Sequence, residues 1–354
     1  MAHSRIKKRR TKLFLAVDLF SGCGGLTLGL KQAGFKVVGA VEKDPLSVET
    51  YMKNHRKTTV WQSDIQDVRS TDVLRALKLR KGDLDMLAGC PPCQGFSTLV
   101  TKNGLHRIDD PRNILVYDFL RFVEGLLPKT IMMENVPDLA KTMRFKRFCT
   151  QLRELGYQFE FRILNVADYG VPQRRRRLVL LGSRFGAMPF AEHDSVRRTV
   201  RDALGNLPSK SVHDDSLHDV MDKRSSRIKD LIKKIPKDGG SRTDLLKRHQ
   251  LRCHKKFDGF RDVYGRMAWD DVSPTITGGC INPSKGRFLH PTKNRTITLR
   301  EAALLQSFPM NYYISLGRGK YAAAALIGNA LPPEFARRQA LSVKRYLGLL
   351  LKTK

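Results

Sequence analysis

The residues with the most distinctive chemistry form a short loop that contains two cysteines. An apolar run from Leu84 to Ala88 leads into the sequence Gly89-Cys90-Pro91-Pro92-Cys93-Gln94-Gly95. Proline fixes φ and removes a backbone donor, whereas the flanking glycines allow turns that residues with a Cβ atom resist. The pattern predicts a strand that ends in a stiff loop. A thiol held in such a loop is placed as a nucleophile would be.

Two cysteines separated by two residues are also typical of a redox dithiol or of half a zinc site. A zinc site needs two further ligands at a matching spacing. The remaining cysteines are scattered singly along the chain, at Cys23, Cys149, Cys253 and Cys280. Cys253 precedes His254, but one such pair is more typical of a loop than of a metal site. The sequence therefore predicts no metal centre, while the redox alternative stays open.

A glycine-rich loop near the start of the chain has the features of a nucleotide-binding turn. The apolar run Leu13 to Phe20 contains Asp18 near its end, and Ser21-Gly22-Cys23-Gly24-Gly25 follows directly. A short helix is expected next, closed by Gly34. Strand, glycine loop and helix form the first turn of a nucleotide-binding βαβ unit. The loop departs from the dinucleotide fingerprint because Thr27 replaces its third glycine, and no P-loop lysine follows.

Acidic residues come directly after several of the predicted strands. Glu42 ends the strand over 35–41, Asp64 follows 60–63, and Glu134 follows 130–133. The carboxyl ends of parallel strands share one edge of a sheet, so these acids are expected to lie near the cysteine loop. Acids at the positions of Glu42 and Asp64 would suit the hydroxyl and amino groups of a nucleoside cofactor. The alternative is that each acid merely caps a helix.

The composition favours a polyanionic partner. The 354 residues include 65 Lys and Arg against 34 Asp and Glu, which gives a net charge of +31 and a pI near 10.2. Nucleic acid is therefore the first partner to consider and an anionic membrane surface the second, and a merely basic surface is the alternative. Six cysteines in this length do not form a disulfide framework, and no stretch is long enough to cross a bilayer. We expect a soluble, cytoplasmic protein.

The middle of the chain differs from its two ends. From about residue 184 to 295, apolar residues become sparse and the alternation of strands and helices is lost, which predicts an inserted or second domain. Within it, residues 265–269 and 273–279 are expected to form short strands. The alternation then resumes, with a capping box at Thr298 to Glu301 and a final helix from Phe335 to Leu350.

Six motifs occur together in a fixed order. A chance match to one motif is common, whereas a chance match to all six in this order is improbable. They are Asp18 to Gly25, Pro92-Cys93-Gln94, Glu134-Asn135-Val136, Gln173 to Arg177, Arg300-Glu301-Ala302 with Gln306 to Pro309, and Gly328-Asn329. Together they resemble the DNA (cytosine-5)-methyltransferase family over nearly the whole chain. The resemblance implies an α/β fold, a doubly wound Rossmann-like methyltransferase sheet with a smaller inserted target recognition domain.

The resemblance also implies a division of the chain. Residues 1–12 would be a basic N-terminal tail, and residues 13–185 the first part of the catalytic domain. Residues 186–320 would be the target recognition domain, including the segment Arg300 to Pro309. Residues 321–354 would return to the catalytic domain.

The cofactor implied by the resemblance is S-adenosylmethionine. Phe20, Glu42 and Asp64 match the positions that hold its adenosine part by ring stacking, the ribose hydroxyls and the adenine amino group. The glycine loop would hold the methionine end. The full set of cofactor-binding residues expected from the motifs is Asp18, Phe20, Ser21, Gly22, Cys23, Gly24, Gly25, Glu42, Asp64, Ile65, Pro92 and Asn329.

The resemblance assigns Cys93 as the nucleophile that adds to C6 of a cytosine and makes its C5 carbon reactive. Glu134 matches the carboxylate that binds N3 and the 4-amino group and assists protonation of N3. Arg175 matches an arginine that contacts the base, and Arg177 would support the same site. Cys90, a thiol beside the nucleophile, is expected to be packed and inert.

The implied substrate is duplex DNA, with the target base flipped out of the helix. Residues expected to contact the DNA are Gln94, Ser97, Gln173 and Thr275. We expect a monomer that needs neither a metal nor a membrane, in the bacterial cytoplasm and associated with the nucleoid. Its role would be modification in a restriction-modification system or as a solitary counterpart.

Three alternatives account for part of the sequence. A transfer RNA cytosine-5 methyltransferase has the same fold, but its Cys-Phe-Thr signature is missing from the recognition region. A redox or nicotinamide enzyme would explain the glycine loop and the paired cysteines but leaves Glu134-Asn135-Val136 unused. A non-catalytic nucleic-acid binder would explain only the charge.

Overall fold

A computed structural model of the chain describes residues 13–92, 115–207, 215–219, 224–251 and 261–352. Its strands are β1 (Leu15–Leu19), β2 (Lys36–Glu42), β3 (Thr59–Gln62), β4 (Met86–Gly89), β5 (Thr130–Asn135), β6 (Gln158–Asn165) and β7 (Arg176–Ser183). They form one sheet in the order β3-β2-β1-β4-β5-β7-β6. The pairs among β1 to β5 are parallel, and β7 runs antiparallel to both β5 and β6.

Helices cover both faces of this sheet, as a mostly parallel sheet requires. The helices are α1 (Gly25–Gln32), α2 (Pro45–Asn54), α3 (Ser70–Leu77), α4 (Leu115–Leu126), α5 (Met143–Glu154), α6 (Val200–Leu204), α7 (Ser226–Lys234), α8 (Leu299–Leu305), α9 (Gly319–Asn329) and α10 (Pro333–Leu350). Apolar residues of α3, α4 and α5 pack on one face, and those of α1 and α10 pack on the other. The predicted doubly wound α/β fold is confirmed.

The residues after β7 bury two further apolar clusters. A small one surrounds Leu231 and Ile232 of α7. A larger one joins α6, α8 and α9 and also includes Cys23 of the glycine loop and Leu46 of α2. Part of the basic middle region therefore packs directly against the residues that follow β1 and β2. The domain boundaries at 185, 186, 320 and 321 stay a prediction.

The predicted short strands at 265–269 and 273–279 are wrong. Among the described residues these segments form only isolated bridges, between Arg266 and Leu289 and between Gln173 and Ser273. The guanidinium of the fully buried Arg266 instead donates to backbone carbonyls, including those of Ile232 and His290. The backbone of the first segment is paired with two different parts of the chain, because the Arg266 N–H donates to the Gly240 carbonyl and the Met267 N–H donates to the Leu289 carbonyl, so no continuous strand pairing forms.

The capping box predicted for α8 is confirmed. The backbone N–H of Glu301 donates to the Thr298 hydroxyl at 3.1 Å, and the Glu301 carboxylate accepts from the Thr298 N–H at 2.8 Å. This reciprocal pair fixes the start of the helix that carries Arg300 and leads to Gln306. Of the helices in the described part of the chain, none has the length and hydropathy of a membrane span.

Candidate active site

The carboxyl ends of β1, β2, β4 and β5 open into a cleft of about 770 Å³. Most of the predicted site residues line it, namely Phe20, Ser21, Gly22, Cys23, Gly25, Glu42, Asp64, Ile65, Pro92, Glu134, Arg175, Arg177, Thr275 and Asn329. Asp18, Gly24 and Gln173 do not line the cleft. Cys93, Gln94 and Ser97 lie outside the described residues.

The glycine loop is a tight turn between β1 and α1. A hydrogen bond closes the turn, in which the Gly24 N–H donates to the Ser21 carbonyl at 2.9 Å. The Ser21 N–H donates to Val41 of the neighbouring strand at 3.1 Å. The Ser21 hydroxyl is buried at the cleft and finds no partner within the described residues. A buried hydroxyl at a cleft wall is suited to a hydrogen bond with a ligand.

Asp18 lies beneath the loop with no exposed surface. Tyr51 and Thr27 form a chain to it, in which the Thr27 hydroxyl donates to Asp18 Oδ2 at 2.7 Å and the two hydroxyls lie 2.9 Å apart. Burial raises the pKa of Asp18 to about 7, because desolvation penalises its charged form and outweighs the Thr27 hydrogen bond. Through the Thr27 hydroxyl, the Asp18 side chain thus connects β1 to the first turn of α1.

Among the described residues, the hydrogen-bond donors to Glu42 are backbone amides. Its carboxylate accepts from the N–H groups of Gly22 at 2.9 Å, Lys43 at 2.9 Å and Asp44 at 2.8 Å. The bond to Gly22 joins the end of β2 to the glycine loop. Amide dipoles stabilise the charge without a neutralising cation.

Asp64, after β3, has a different partner. Lys43 Nζ lies 3.0 Å from its Oδ2 atom, and the Gln66 N–H donates to Oδ1 at 3.2 Å. The hydrogen bond from Lys43 contributes most to lowering the pKa of Asp64. Because its pKa is lowered, Asp64 is anionic at neutral pH. Its side chain is about one-third exposed and lines the cleft, so the carboxylate is accessible to a ligand.

Glu134 lies in β5 and forms an ion pair with Arg177 of β7. Arg177 Nε is 2.8 Å from Glu134 Oε1, and both side chains are largely buried, at 16% and 10% exposure. The antiparallel pairing of β5 with β7 brings the two residues together. Since Gly89 of β4 pairs with Met133 of β5, the loop after β4 begins beside Glu134. The ion pair fixes the orientation of the carboxylate next to that loop.

Asn135 connects β5 to the proline loop. Its side-chain amide donates to the Pro91 carbonyl at 2.9 Å, and its carbonyl oxygen accepts from the Val136 N–H at 2.8 Å. The residue is buried. Asn135 therefore helps to fix the backbone that leads towards Cys93. The motif Glu134-Asn135-Val136 does not by itself predict this contact of Asn135.

The four consecutive arginines alternate in direction. Arg174 and Arg176 are exposed, whereas Arg175 and Arg177 turn inward to the cleft. This alternation follows from the extended backbone, in which successive side chains point in opposite directions. The run thus supplies two cations to the cleft and two to the surface.

Arg175 connects its own segment, just before β7, to two other segments of backbone. Its Nη1 atom donates to the carbonyls of Ile276 at 3.1 Å and Gly328 at 2.8 Å. Burial, and next the charge of Arg177, lowers the pKa of Arg175 to about 9. Gly328 has no room for a side chain, since a Cβ atom there would lie 2.3 Å from the carbonyl carbon of Thr277. The end of α9 is therefore pressed against the Ile276 loop.

Gln173 and Thr275 strengthen the same junction. Gln173 is fully buried, accepts from the Ile276 N–H at 2.9 Å and donates to Gln306 Oε1 at 2.7 Å. Gln306 in turn donates to the Ile327 carbonyl at 2.7 Å. The Thr275 hydroxyl donates to the Arg174 carbonyl at 2.7 Å. Of the four side chains predicted to contact DNA, the two that are described, Gln173 and Thr275, thus bond to protein in this structure.

Two residues that contact the glycine loop were not predicted from the sequence. His55 follows α2 and Tyr312 follows α8, and both bond to carbonyls of the glycine loop. They are 257 positions apart. No motif in the sequence connects them. Among the described residues, no three His, Cys, Asp or Glu side chains form a group that could hold a metal ion.

Comparison with known proteins shows the family. Residues 14–345 match the model of the C-5 cytosine-specific DNA methylase family. The chain belongs to this family and is a DNA cytosine-5 methyltransferase, and enzymes of the family use S-adenosylmethionine.

Three similar proteins illustrate the match. The type II methylase M.HgiDII of Herpetosiphon aurantiacus is 36% identical over 94% of this chain and 95% of its own. The type II methyltransferase M1.HphI of Haemophilus parahaemolyticus is 35% identical over 92% and 86%. The crystal structure of a prophage-encoded E. coli protein assigned as a DNA modification methyltransferase superposes with a TM-score of 0.67 at 26% identity, covering 95% and 99% of the two chains.

Proposed function

We propose that this chain transfers a methyl group from S-adenosylmethionine to C5 of a cytosine in a specific duplex DNA sequence, with Cys93 as the nucleophile. The observation that carries the proposal is the position of Glu134. Its carboxylate, fixed by Arg177, lies in the same cleft as the glycine loop and the acids that follow β2 and β3. One cleft can therefore hold the methyl donor and the accepting base in contact, as the transfer requires.

The residues along one side of the cleft fit the cofactor. We call Ser21 to Gly25, Glu42 and Asp64 the cofactor half. It offers the unpartnered Ser21 hydroxyl, two carboxylates for hydroxyl and amino groups, and the amides at the start of α1. Phe20 beside them presents a ring for stacking, and Asn329 closes the opposite wall. When bound, S-adenosylmethionine supplies an electrophilic methyl group.

The other side of the cleft would act on the base. We call Glu134, Arg175 and Arg177 the base half. Cytosine C5 is a weak nucleophile, so the Cys93 thiolate would first form a bond to C6 while Glu134, in its acid form, gives its proton to N3. The electron pair made available at C5 would form a bond to the methyl group that S-adenosylmethionine supplies, as the bond between that methyl group and the sulfonium sulfur breaks. Loss of the C5 proton to a base would then restore the C5–C6 double bond and expel the Cys93 thiolate, and the N3 proton would return to Glu134.

The base cannot react while it is stacked, and flipping it out costs a few kcal/mol. The net charge of +31 would recover this cost through phosphate contacts, to which the exposed Arg174 and Arg176 can contribute. Because similar proteins are type II methyltransferases, we assign the chain to modification in a restriction-modification system or to a solitary counterpart. It would act as a monomer in the bacterial cytoplasm, on DNA of the nucleoid.

The test is transfer of labelled methyl groups from S-adenosylmethionine, with unmethylated duplex DNA and bulk transfer RNA as parallel acceptors. We expect label at cytosine C5 in DNA, and we expect Cys93→Ser to lose transfer while still binding DNA. Label in transfer RNA alone would overturn the assignment of the substrate. Binding of DNA with no transfer to either acceptor would identify a binding protein with the fold of an enzyme.

A further inference from the structure

Two buried side chains from distant parts of the chain hold the glycine loop without lining the cleft. The Tyr312 hydroxyl lies 2.6 Å from the Cys23 carbonyl oxygen. His55 Nε2 lies 3.0 Å from the same hydroxyl and 3.2 Å from the Gly24 carbonyl oxygen. Both side chains are about 3% exposed. Two successive carbonyls of the loop are therefore fixed by side chains.

The directions of these hydrogen bonds follow from the inventory of donors. A carbonyl only accepts, so the single proton of the Tyr312 hydroxyl is used on Cys23. His55 must then donate, and its Nε2–H is shared between Tyr312 and Gly24. Burial, and next the charge of Lys31, lowers the pKa of His55 to about 4. At neutral pH the ring is uncharged, with its proton on Nε2.

Fixing the Gly24 carbonyl also fixes the next amide. The carbonyl and the N–H of one trans peptide point in opposite directions, so the Gly25 N–H points away from His55. Gly25 is the first residue of α1 and lines the cleft. The contact requires glycine at position 24, where φ is 93° and a Cβ atom would lie 2.5 Å from His55 Nε2.

Tyr312 is itself held rigidly. Arg300 of α8 donates to its carbonyl oxygen at 3.0 Å. The adjacent Tyr313 hydroxyl donates to Glu49 of α2 at 2.7 Å, and the Ser315 N–H donates to Thr50 at 3.1 Å. The segment after α8 thus lies along α2, with the Tyr312 ring directed to the loop. Its hydroxyl needs little reorganisation to support a bound ligand.

We propose that Tyr312 and His55 are positioning residues of the cofactor site, which hold the Cys23 and Gly24 carbonyls so that the loop presents the Gly25 amide to S-adenosylmethionine. The proposal rests on the proposed function, since it concerns the same cofactor half. It adds two residues that no motif contains. It also gives the segment after α8 a role in cofactor binding.

The test is calorimetric titration of the full-length protein with S-adenosylmethionine, before and after Tyr312→Phe. This change removes one hydroxyl and leaves the Cys23 carbonyl buried without that donor. We expect the Kd for S-adenosylmethionine to rise about tenfold. At saturating cofactor, kcat should stay within about twofold of wild type and DNA affinity should not change, because the base half is untouched.

Tyr321→Phe is the matched control, because it removes a hydroxyl from an exposed tyrosine of α9 that does not line the cleft. Its Kd should equal that of wild type. Unchanged cofactor affinity in Tyr312→Phe, or an equal loss in Tyr321→Phe, would overturn the proposal. Should Tyr312→Phe fail to fold, His55→Gln keeps an amide donor for the loop and should bind the cofactor better than His55→Leu. A wild-type protein that binds no S-adenosylmethionine would instead refute the proposed function.

Discussion

Glu42 in the cofactor half and Glu134 in the base half of the cleft are held in different ways. Glu42 accepts from three backbone amides, and no cation of the described part of the chain lies within hydrogen-bonding distance of it. In the base half, Glu134 is paired with a guanidinium at 2.8 Å. Amides leave the negative charge available to neutral hydroxyl groups, whereas an arginine compensates it next to a polyanionic substrate. Glu42 is thus suited to bind neutral hydroxyl groups, and Glu134 is suited to a position beside a polyanionic substrate.

The supporting contacts differ in the same way. The glycine loop is supported by neutral groups, namely the hydroxyl of Tyr312 and the uncharged ring of His55. The base half depends on Arg175, whose guanidinium binds the carbonyls of Ile276 and Gly328. If this division is real, a substitution in one half should change the kinetic parameter of that half and leave the other nearly unchanged.

Among the substitutions that compare the two halves, the largest effect is expected from Glu134→Gln. A glutamine has nearly the same shape but cannot donate a proton to N3, and general acid catalysis contributes roughly 10²- to 10⁴-fold. We expect kcat to fall about 10³-fold, while the Kd for S-adenosylmethionine changes less than about threefold because Glu134 lies in the base half. Single-turnover methyl transfer and calorimetric titration measure the two quantities.

The matched control is Glu124→Gln. Glu124 is exposed on α4 and does not line the cleft, so neither quantity should change. A loss of cofactor affinity in Glu134→Gln as large as its loss of rate would contradict the division of the cleft into two halves.

An intermediate effect is expected from Glu42→Gln. The change removes the charge that organises the amides of Gly22, Lys43 and Asp44, and a hydrogen bond to a charged group contributes about 1.5–3 kcal/mol. The Kd for S-adenosylmethionine should therefore rise roughly 10- to 100-fold, with kcat at saturating cofactor reduced less than about threefold. Titration and steady-state kinetics test this, with exposed Glu154→Gln as control. A fall in kcat at unchanged affinity would show that Glu42 acts on the base half.

The sequence was sufficient to place most of the cleft. Glu42 and Glu134 end predicted strands, Asp64 closely follows one, and a parallel sheet brings the ends of its strands to one edge, so their proximity follows from topology alone. The observed cleft confirms that placement for all three. The glycine loop was equally predictable, because its residues are contiguous in the chain.

The direction of individual side chains was less predictable. Gln173 was expected to face DNA, yet its amide is buried between Gln306 and the Ile276 backbone. Arg175 likewise donates two hydrogen bonds to backbone carbonyls of the protein. A residue type does not determine which partner lies within reach, and these partners are more than 100 positions away. Tyr312 and Cys23 are also far apart in sequence, so their contact is visible in the folded structure but cannot be predicted from the sequence.

The smallest effect is expected from Cys90→Ser, which tests whether the loop after β4 carries one reactive thiol or two. Cys90 lines the cleft near Glu134, but burial and the negative charges of Glu134 and Asp18 raise its pKa well above that of an ordinary thiol. At neutral pH it stays protonated and is a poor nucleophile. Methyl transfer by Cys90→Ser should therefore remain within about twofold of wild type, because serine preserves a hydrogen-bond donor beside Glu134. Cys93→Ser, assayed in parallel, should be inactive, and equal inactivity of the two variants would mean that both thiols take part in the reaction.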